Sequence, residues 1–595
     1  MNPEAQFAAA REAIRVGRFA DAEASLRALL GVAPGHPLVL SLLGVSLRGQ
    51  GRFDEALEPA RRSAQAAPSN PGVLVNLGVV LIDAGCHDEA SEVLTRAVAV
   101  APGVVEGRVA LSRAMSLQGR LLDAVDLCRE SLAMAPDHPK LTANLGAALL
   151  YAGEGAAAID AYQRGTQRWP EDLTLAMGLA ASLVYAGTDD APRVAAAHRR
   201  VGTLIAQAEG THERPAIGDP DPDRRLRVGI MCADFRAHAS AFFLAPILEN
   251  ADRGRVEYVL YSTGGREDQV TPRFRAWASA FHQVANLDPP ALCARVRGDR
   301  VDVLLDLSGY AEGHRQAAFQ RRAAPLQGTY LAYASTTGLP AMDFRIVDSI
   351  TDPPGEAEAL STERLVRIDP CLLAFSKGAG LPGGPAEHPP PGEGERDGPI
   401  TFGSFRGLQL LTDKTLDLWT PVLKGVPGSR LLMRNHGLSG QREREHTMAR
   451  FTSRGIDAAR ILLEGPTSGA AQTLREYARL DIVLDSFPYS GTTTTCESLL
   501  MGVPIVTLMG ATSASRVSGS IQQHAGVGEL VARTPEQFVS ITAGLAGDRE
   551  RLATLRRDLP GRFERTVGDG AAFARRFEAA IREQWAEGCR TQGRG

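Results

Sequence analysis

The chain has 595 residues, a formal net charge of -4, and 44% hydrophobic against 23% charged residues, a size and balance that predict a soluble protein of about two to four domains. With no run of like charge and no apolar window approaching about 18 residues, the sequence points away from nucleic-acid binding and membrane insertion. Charges interrupt every apolar stretch of the N-terminal MNPEAQFAAAREAIRVGRF, and the seven cysteines (Cys86, Cys128, Cys232, Cys293, Cys371, Cys496 and Cys589) show no CxxC spacing, so reduced thiols and a cytoplasmic location are expected.

The first part of the chain is an internal repeat. Gly17, Gly51, Gly85, Gly119, Gly153 and Gly187 stand 34 residues apart. Ala22, Ala56, Ala90, Ala124 and Ala158 keep the same period, as do Pro34, Pro68, Pro102, Pro136 and Pro170. Gly44, Gly78, Ser112, Gly146 and Ala180 form a further small-residue series. The first glycine series permits a turn after one helix, the small residues let helices approach, and the proline stops the second helix. The pattern is the tetratricopeptide one, five clear repeats and a weaker sixth over 173–205, so residues 1–205 are predicted to form an α-helical solenoid. Its groove is expected to hold an acceptor protein. Asn76 and Asn144 share one position in the repeat and are candidate ligands for a bound backbone.

An Asp/Pro-rich linker, IGDPDPDRR (217–225), ends the repeat. Beyond it LRVGIMCAD, YVLYST, VDVLLDLSG and FRIVD read as buried strands alternating with helical patterns, predicting an α/β lobe over 225–375. SKGAGLPGGPAEHPPPGEGERDGP (376–399) reads as a loop or linker. ITFGSF, SRLLMR, ARILLEG, LDIVLDSF and PIVTLMG then predict a second α/β lobe over 400–585. Two such lobes imply a cleft with ligands near strand carboxyl ends. The histidines do not cluster at metal-ligand spacing, so metal-independent chemistry is expected.

The most informative stretch is IVLDSFPYSGTTTTCESLLMGVPIVTL. A strand runs into a turn with Gly491, then Thr492, Thr493 and Thr494, and a helix follows. A helix N-terminus offers free N–H groups and positive potential to a phosphate, the threonines add hydroxyls, and Glu497 can accept from ribose hydroxyls. A plain N-cap with a threonine turn fits the same residues.

Here the sequence resembles glycosyltransferase family 41, the O-GlcNAc transferases and the SPINDLY-type O-fucosyltransferases. VDVLLDLSGYAEGHR, AAPLQGTYLAYASTTGLPAMDFRIVDSITDPPG, ITFGSF, SASRV and the threonine loop all look like family segments in family order, and TTTTCES is nearer the SPINDLY form. The resemblance implies a two-lobed GT-B module and a nucleotide sugar as co-substrate, with no cofactor. It implies inverting transfer to protein Ser or Thr, with UDP-GlcNAc as the default donor. It also implies roles for individual residues. His238 matches a histidine favoured as the catalytic base. Ser404, Phe405, Arg406, Gly491, Thr492, Thr493, Thr494, Glu497, Arg516, Thr336 and Thr337 fall at donor-binding segments, and Tyr310 falls in an acceptor-side loop.

The sequence also departs from the family. FGSFNNLAK ends in a lysine that meets the donor phosphates, whereas FGSFRGLQL puts Leu410 there and leaves Arg406 and Lys414 as the nearest cations. LGYPGT becomes LAYAST, and a uridine-side histidine falls near Thr473. Three alternatives follow: a GDP-fucose donor, a flagellin acceptor modified from a CMP-activated nonulosonic acid, or an inactive tetratricopeptide adaptor.

Overall fold

The computed structural model describes residues 2–187, 189–331, 333–376 and 398–592. The predicted linker 376–399 lies almost wholly outside the described residues. Paired helices open the chain, Pro3–Arg15 with Phe19–Val32, Pro37–Gly49 with Phe53–Ala66, and so on at the predicted period to Leu173–Tyr185 with Ala191–Glu209. Every glycine of the first series has a left-handed φ, between 70° and 93°, which L side chains adopt only with strain.

By compactness the chain forms two units: Met1–Ala152 with Asp160–Trp169, and Gly153–Ile159 with Pro170–Gly595. The first has its own core, running from Ala10 and Leu26 through Leu74 and Leu94 to Leu111. The last helix pair belongs to the second unit. Ala180, Val201, Leu204 and Ile205 pack with Phe319, Leu339 and Met342 of the lobe that follows. Periodicity therefore marks where the repeat pattern stops, and burial marks where the independent solenoid stops. We expect a fragment of residues 1–205 to self-associate through that uncovered face, and a fragment of residues 1–169 to remain a helical monomer. Size-exclusion chromatography and far-ultraviolet circular dichroism distinguish the two.

Each lobe of the second unit is built on a parallel sheet. The first contains β1 (Leu226–Cys232), β2 (Val256–Ser262), β3 (Ala280–Gln283), β4 (Val303–Asp306), β5 (Leu326–Tyr330), β6 (Phe344–Val347) and β7 (Arg364–Arg367), in the order β3-β2-β1-β4-β5-β6-β7. The second contains β8 (Thr401–Ser404), β9 (Arg430–Arg434), β10 (Ile461–Glu464), β11 (Ile482–Leu484), β12 (Ile505–Leu508) and β13 (Val531–Ala532), in the order β10-β9-β8-β11-β12-β13. All pairings are parallel. β4, β5, β6, β8, β11 and β12 are buried along nearly their whole length, as continuous apolar runs require in sheets covered on both faces.

The second lobe ends earlier than the sequence pattern suggests. The helix Gly570–Gln592 returns to the first lobe, carrying Phe573, Phe577, Ile581 and Trp585 at intervals of four, all 3% exposed or less. Phe577 lies against Tyr330, and the Trp585 indole N–H donates to the Asp221 carbonyl at 3.3 Å. Burying four such side chains contributes about 1.5–3 kcal/mol each. This stripe ties the chain's end to the lobe where the α/β pattern began.

Candidate active site

The threonine loop starts at the carboxyl end of β11 and is folded by one buried carboxylate. Asp485, 1% exposed, accepts from the N–H groups of Ser486 (2.9 Å) and Gly491 (2.9 and 3.1 Å) and from the Thr507 hydroxyl (2.6 Å). The chain is thereby doubled back so that the helix Thr493–Leu500 begins beside the strand end. Thr492 takes the N-cap position without a side-chain cap bond, so the first-turn N–H groups of that helix are left for a ligand or water.

Arg406 leaves β8 and reaches the same loop. Its Nη1 donates to Thr494 Oγ1 at 3.2 Å, its Nη2 donates to the carbonyls of Tyr489 and Ser490 at 3.1 Å each, and its guanidinium lies 5.6 Å from the Tyr489 ring centroid. Nε is buried without a hydrogen-bond partner among the described residues. Leu410 faces inward, 6% exposed, in a short 3-10 turn whose last carbonyl accepts from Thr415. Lys414 lies on the exposed side of the helix Asp413–Gly425. Of the two cations near the missing lysine, Arg406 is the one placed on the threonine loop.

Ser404 at the end of β8 is fully buried, and its hydroxyl has no partner among the described residues. Phe405 packs edge-on to Tyr477, ring centroids 4.9 Å apart. The Tyr477 hydroxyl lies 3.1 Å from Glu497 Oε2 and 3.3 Å from the Thr494 carbonyl. Burial pushes the Glu497 carboxyl up to about 7, against a smaller lowering by the Tyr477 hydrogen bond. If Glu497 accepts from ribose hydroxyls, it does so as a carboxylate. Nucleotide affinity should then rise as pH passes upward through about 7, and Glu497→Gln should flatten that dependence. Isothermal titration at pH 6 and pH 8 would show it; a pH-independent affinity in the unsubstituted protein would contradict the role.

Thr492 also lines a cavity between the two lobes. Its walls include Tyr330, Leu331, Tyr333 and Arg345 of the first lobe and Tyr489 and Ser513 of the second. Leu331 has a φ of 63°, a conformation costly for a bulky residue and found at functional sites. The Tyr330 hydroxyl and Arg345 Nε are buried without partners among the described residues.

Other predicted residues are placed differently. His238 caps the helix Ala239–Glu249 at the carboxyl end of β1. Its Nδ1 lies 3.3 Å from the Ser240 N–H, 3.1 Å from Ser240 Oγ and 3.6 Å from Asp234 Oδ2. The ring is about half exposed; desolvation lowers its pKa, partly offset by Asp234. Thr336 and Thr337 turn inward. Their hydroxyls and the Thr337 N–H donate to buried Glu363, which needs those donors, so neither hydroxyl is offered to a ligand. The Tyr310 hydroxyl donates to the Thr337 carbonyl, and its ring neighbours His198 and Tyr333. Arg516 donates from Nε to the Gly510 carbonyl at 2.8 Å and lies 3.9 Å from Glu356. Asn76 donates one amide hydrogen to the preceding repeat, at Ser41 Oγ (2.9 Å), and Asn144 donates to Val109 O and Ser112 Oγ (3.0 and 2.9 Å). Sequence reasoning missed Asp485, Tyr489 and Tyr477. The first two lie inside the quoted motif; for Tyr477 the sequence offers no comparable signal.

The order of segments around this loop matches a family model, glycosyl transferase family 41, over residues 182–371 and 394–567, and tetratricopeptide repeat models match 7–71 and 47–113. The chain belongs to glycosyltransferase family 41. This member is 33% identical over 375 residues to the Arabidopsis thaliana protein named "Probable UDP-N-acetylglucosamine–peptide N-acetylglucosaminyltransferase SPINDLY", covering 62% of this chain and 40% of the relative. Against a Caenorhabditis elegans UDP-N-acetylglucosamine–peptide N-acetylglucosaminyltransferase the identity is 24% over 475 residues, covering 61% and 41%. The family 41 chain thus spans about 40% of the length of the curated relatives it matches. A solved mutant of the Thermobaculum terrenum O-GlcNAc transferase is 32% identical, with a TM-score of 0.71, covering 93% of this chain and 98% of that one. Among the described residues no helix is long and apolar enough to cross a membrane.

Proposed function

We propose that the protein is an O-glycosyltransferase that moves a sugar from a nucleotide-sugar donor to Ser or Thr of an acceptor protein held by the repeats. The observation that carries this reading is Arg406 lying on the threonine loop at a helix N-terminus. The acceptor hydroxyl attacks the anomeric carbon from the face opposite the phosphate, the bond to the phosphate oxygen breaks, and configuration inverts. Negative charge grows on the leaving phosphate, where Arg406, the first-turn N–H groups and the threonine hydroxyls can offset it without a metal. His238 is the candidate base. Nε2 can accept the proton only in the tautomer with a hydrogen on Nδ1, and in that tautomer Nδ1 gives up the cap bond from the Ser240 N–H and turns its hydrogen to Ser240 Oγ or Asp234.

UDP-GlcNAc is the first donor to test. The second is a CMP-activated nonulosonic acid, favoured by the burial of Leu410: a monophosphate leaving group carries less charge than a diphosphate, and the position of the family lysine offers no cation. Thermal denaturation with UDP, GDP, CMP and their sugars should decide. A true ligand at about 100 times its Kd stabilises the protein by about 2.7 kcal/mol. No shift with any nucleotide would defeat the transferase reading and leave a repeat-based adaptor.

A further inference from the structure

We propose that Asp189, on the turn between the last two repeat helices, is a positioning residue of the donor site, acting through the helix Ser513–His524. The proposal rests on reading residues 485–497 as the loop that holds the donor phosphate.

The turn meets the second lobe at three points. The Tyr185 and Tyr489 rings are 4.9 Å apart and inclined by 33°. A Cβ on Gly187 would stand 3.0 Å from the Pro488 ring. Asp189 Oδ1 accepts from the N–H groups of Ala511 (2.7 Å) and Thr512 (3.3 Å) and lies 3.5 Å from Ser515 Oγ. Its approach is close enough to exclude a side chain at residue 510, where a Cβ would lie 2.5 Å from the same oxygen. The helix Ser513–His524 has no acidic residue in its own first turn, so this carboxylate supplies negative charge at its amino end.

That helix braces the donor loop. The Ser518 N–H donates to Ser490 Oγ at 3.1 Å, the Ser518 and Thr495 hydroxyls are 2.9 Å apart, and Ser490 donates from both N–H (3.0 Å) and Oγ (2.8 Å) to the Ala514 carbonyl. It also joins the lobes, through Ser513 to Asp352 at 2.9 Å and Ser520 to Asp348 at 2.6 Å. Asp189 therefore fixes the amino end of a helix whose flank sets Ser490 and Thr495 on either side of Thr492–Thr494. The last repeat thereby helps set the geometry in which a phosphate is held.

The test uses the full chain and two readouts: backbone hydrogen exchange of residues 488–496 without ligand, and calorimetric titration with UDP, GDP and CMP. Asp189→Ala should speed that exchange and weaken the binding nucleotide, each by about five- to tenfold, the scale of one or two lost hydrogen bonds, since the helix keeps its own capping box of Thr512 and Ser515. Asp189→Asn keeps the accepting oxygen but loses the charge, and should fall between wild type and Asp189→Ala. Gly510→Ala should reproduce the loss by pushing a methyl into the carboxylate, yet add nothing in the Asp189→Ala background. Unchanged exchange and affinity in Asp189→Ala would overturn the proposal. So would loss of the fold in both Asp189 variants, which would make Asp189 a folding residue. If wild type binds none of the three nucleotides, the donor reading fails, while the ligand-free exchange still decides the positioning role.

Discussion

Arg406→Ala should lower turnover at least a hundredfold, equivalent to about 2–4 kcal/mol of lost transition-state stabilisation. Four contacts fix the guanidinium on the threonine loop, so it is preorganised before a donor arrives. A cation held in that way costs little reorganisation when charge develops on the leaving phosphate. The effect should appear in kcat more than in KM, because leaving-group charge is larger in the transition state than in the bound donor. Arg406→Lys should recover only part of the loss, since an ammonium cannot reach Thr494 and two carbonyls as a planar fork does. The check is steady-state kinetics with whichever sugar nucleotide stabilises the wild-type protein. Wild-type turnover by Arg406→Ala would remove Arg406 from the reaction.

Asp485→Ala should cost about 3–5 kcal/mol and abolish nucleotide binding. The change strips the Ser486 and Gly491 N–H groups and the Thr507 hydroxyl of one buried acceptor. Asp485→Asn should rescue little. Donors approach both oxygens, whereas a carboxamide offers only one acceptor and turns an NH2 toward another donor. Calorimetric melting should show a destabilised catalytic unit, and titration should show lost binding. A variant that melts as wild type and still binds nucleotide would show that the loop does not depend on this carboxylate.

The solenoid was legible because its glycines, alanines and prolines are local requirements repeated in one register, each tied to a turn, a close contact or a helix stop. The longer strands of both sheets were legible as apolar runs. β3, β5, β7 and β13 were not: β3 and β7 are half-buried sheet-edge strands of four residues, β13 has only two, and β5, though central and buried, reads LQGTY, where Gln, Gly and Thr break the apolar run. The threonine loop could be read from its motif, but the choice between Arg406 and Lys414 could not, because a side chain's direction on an irregular segment depends on tertiary packing. Thr336 and Thr337 show the converse. Their motif suggested a loop facing a ligand, and the buried Glu363, 27 and 26 residues further along the chain, claims their hydroxyls instead. Asp189 lay outside every motif, and only its contact with residues 511 and 512 marks it.

The most direct measurement is a crystal structure of the protein with the nucleotide that stabilises it most. Its phosphate oxygens should lie within hydrogen-bond distance of the Arg406 guanidinium and the N–H groups at the start of helix Thr493–Leu500, with the ribose near Glu497. A nucleotide bound elsewhere, with Arg406 still seated on the carbonyls of Tyr489 and Ser490 and the threonines untouched, would contradict the assignment of this loop as the donor site.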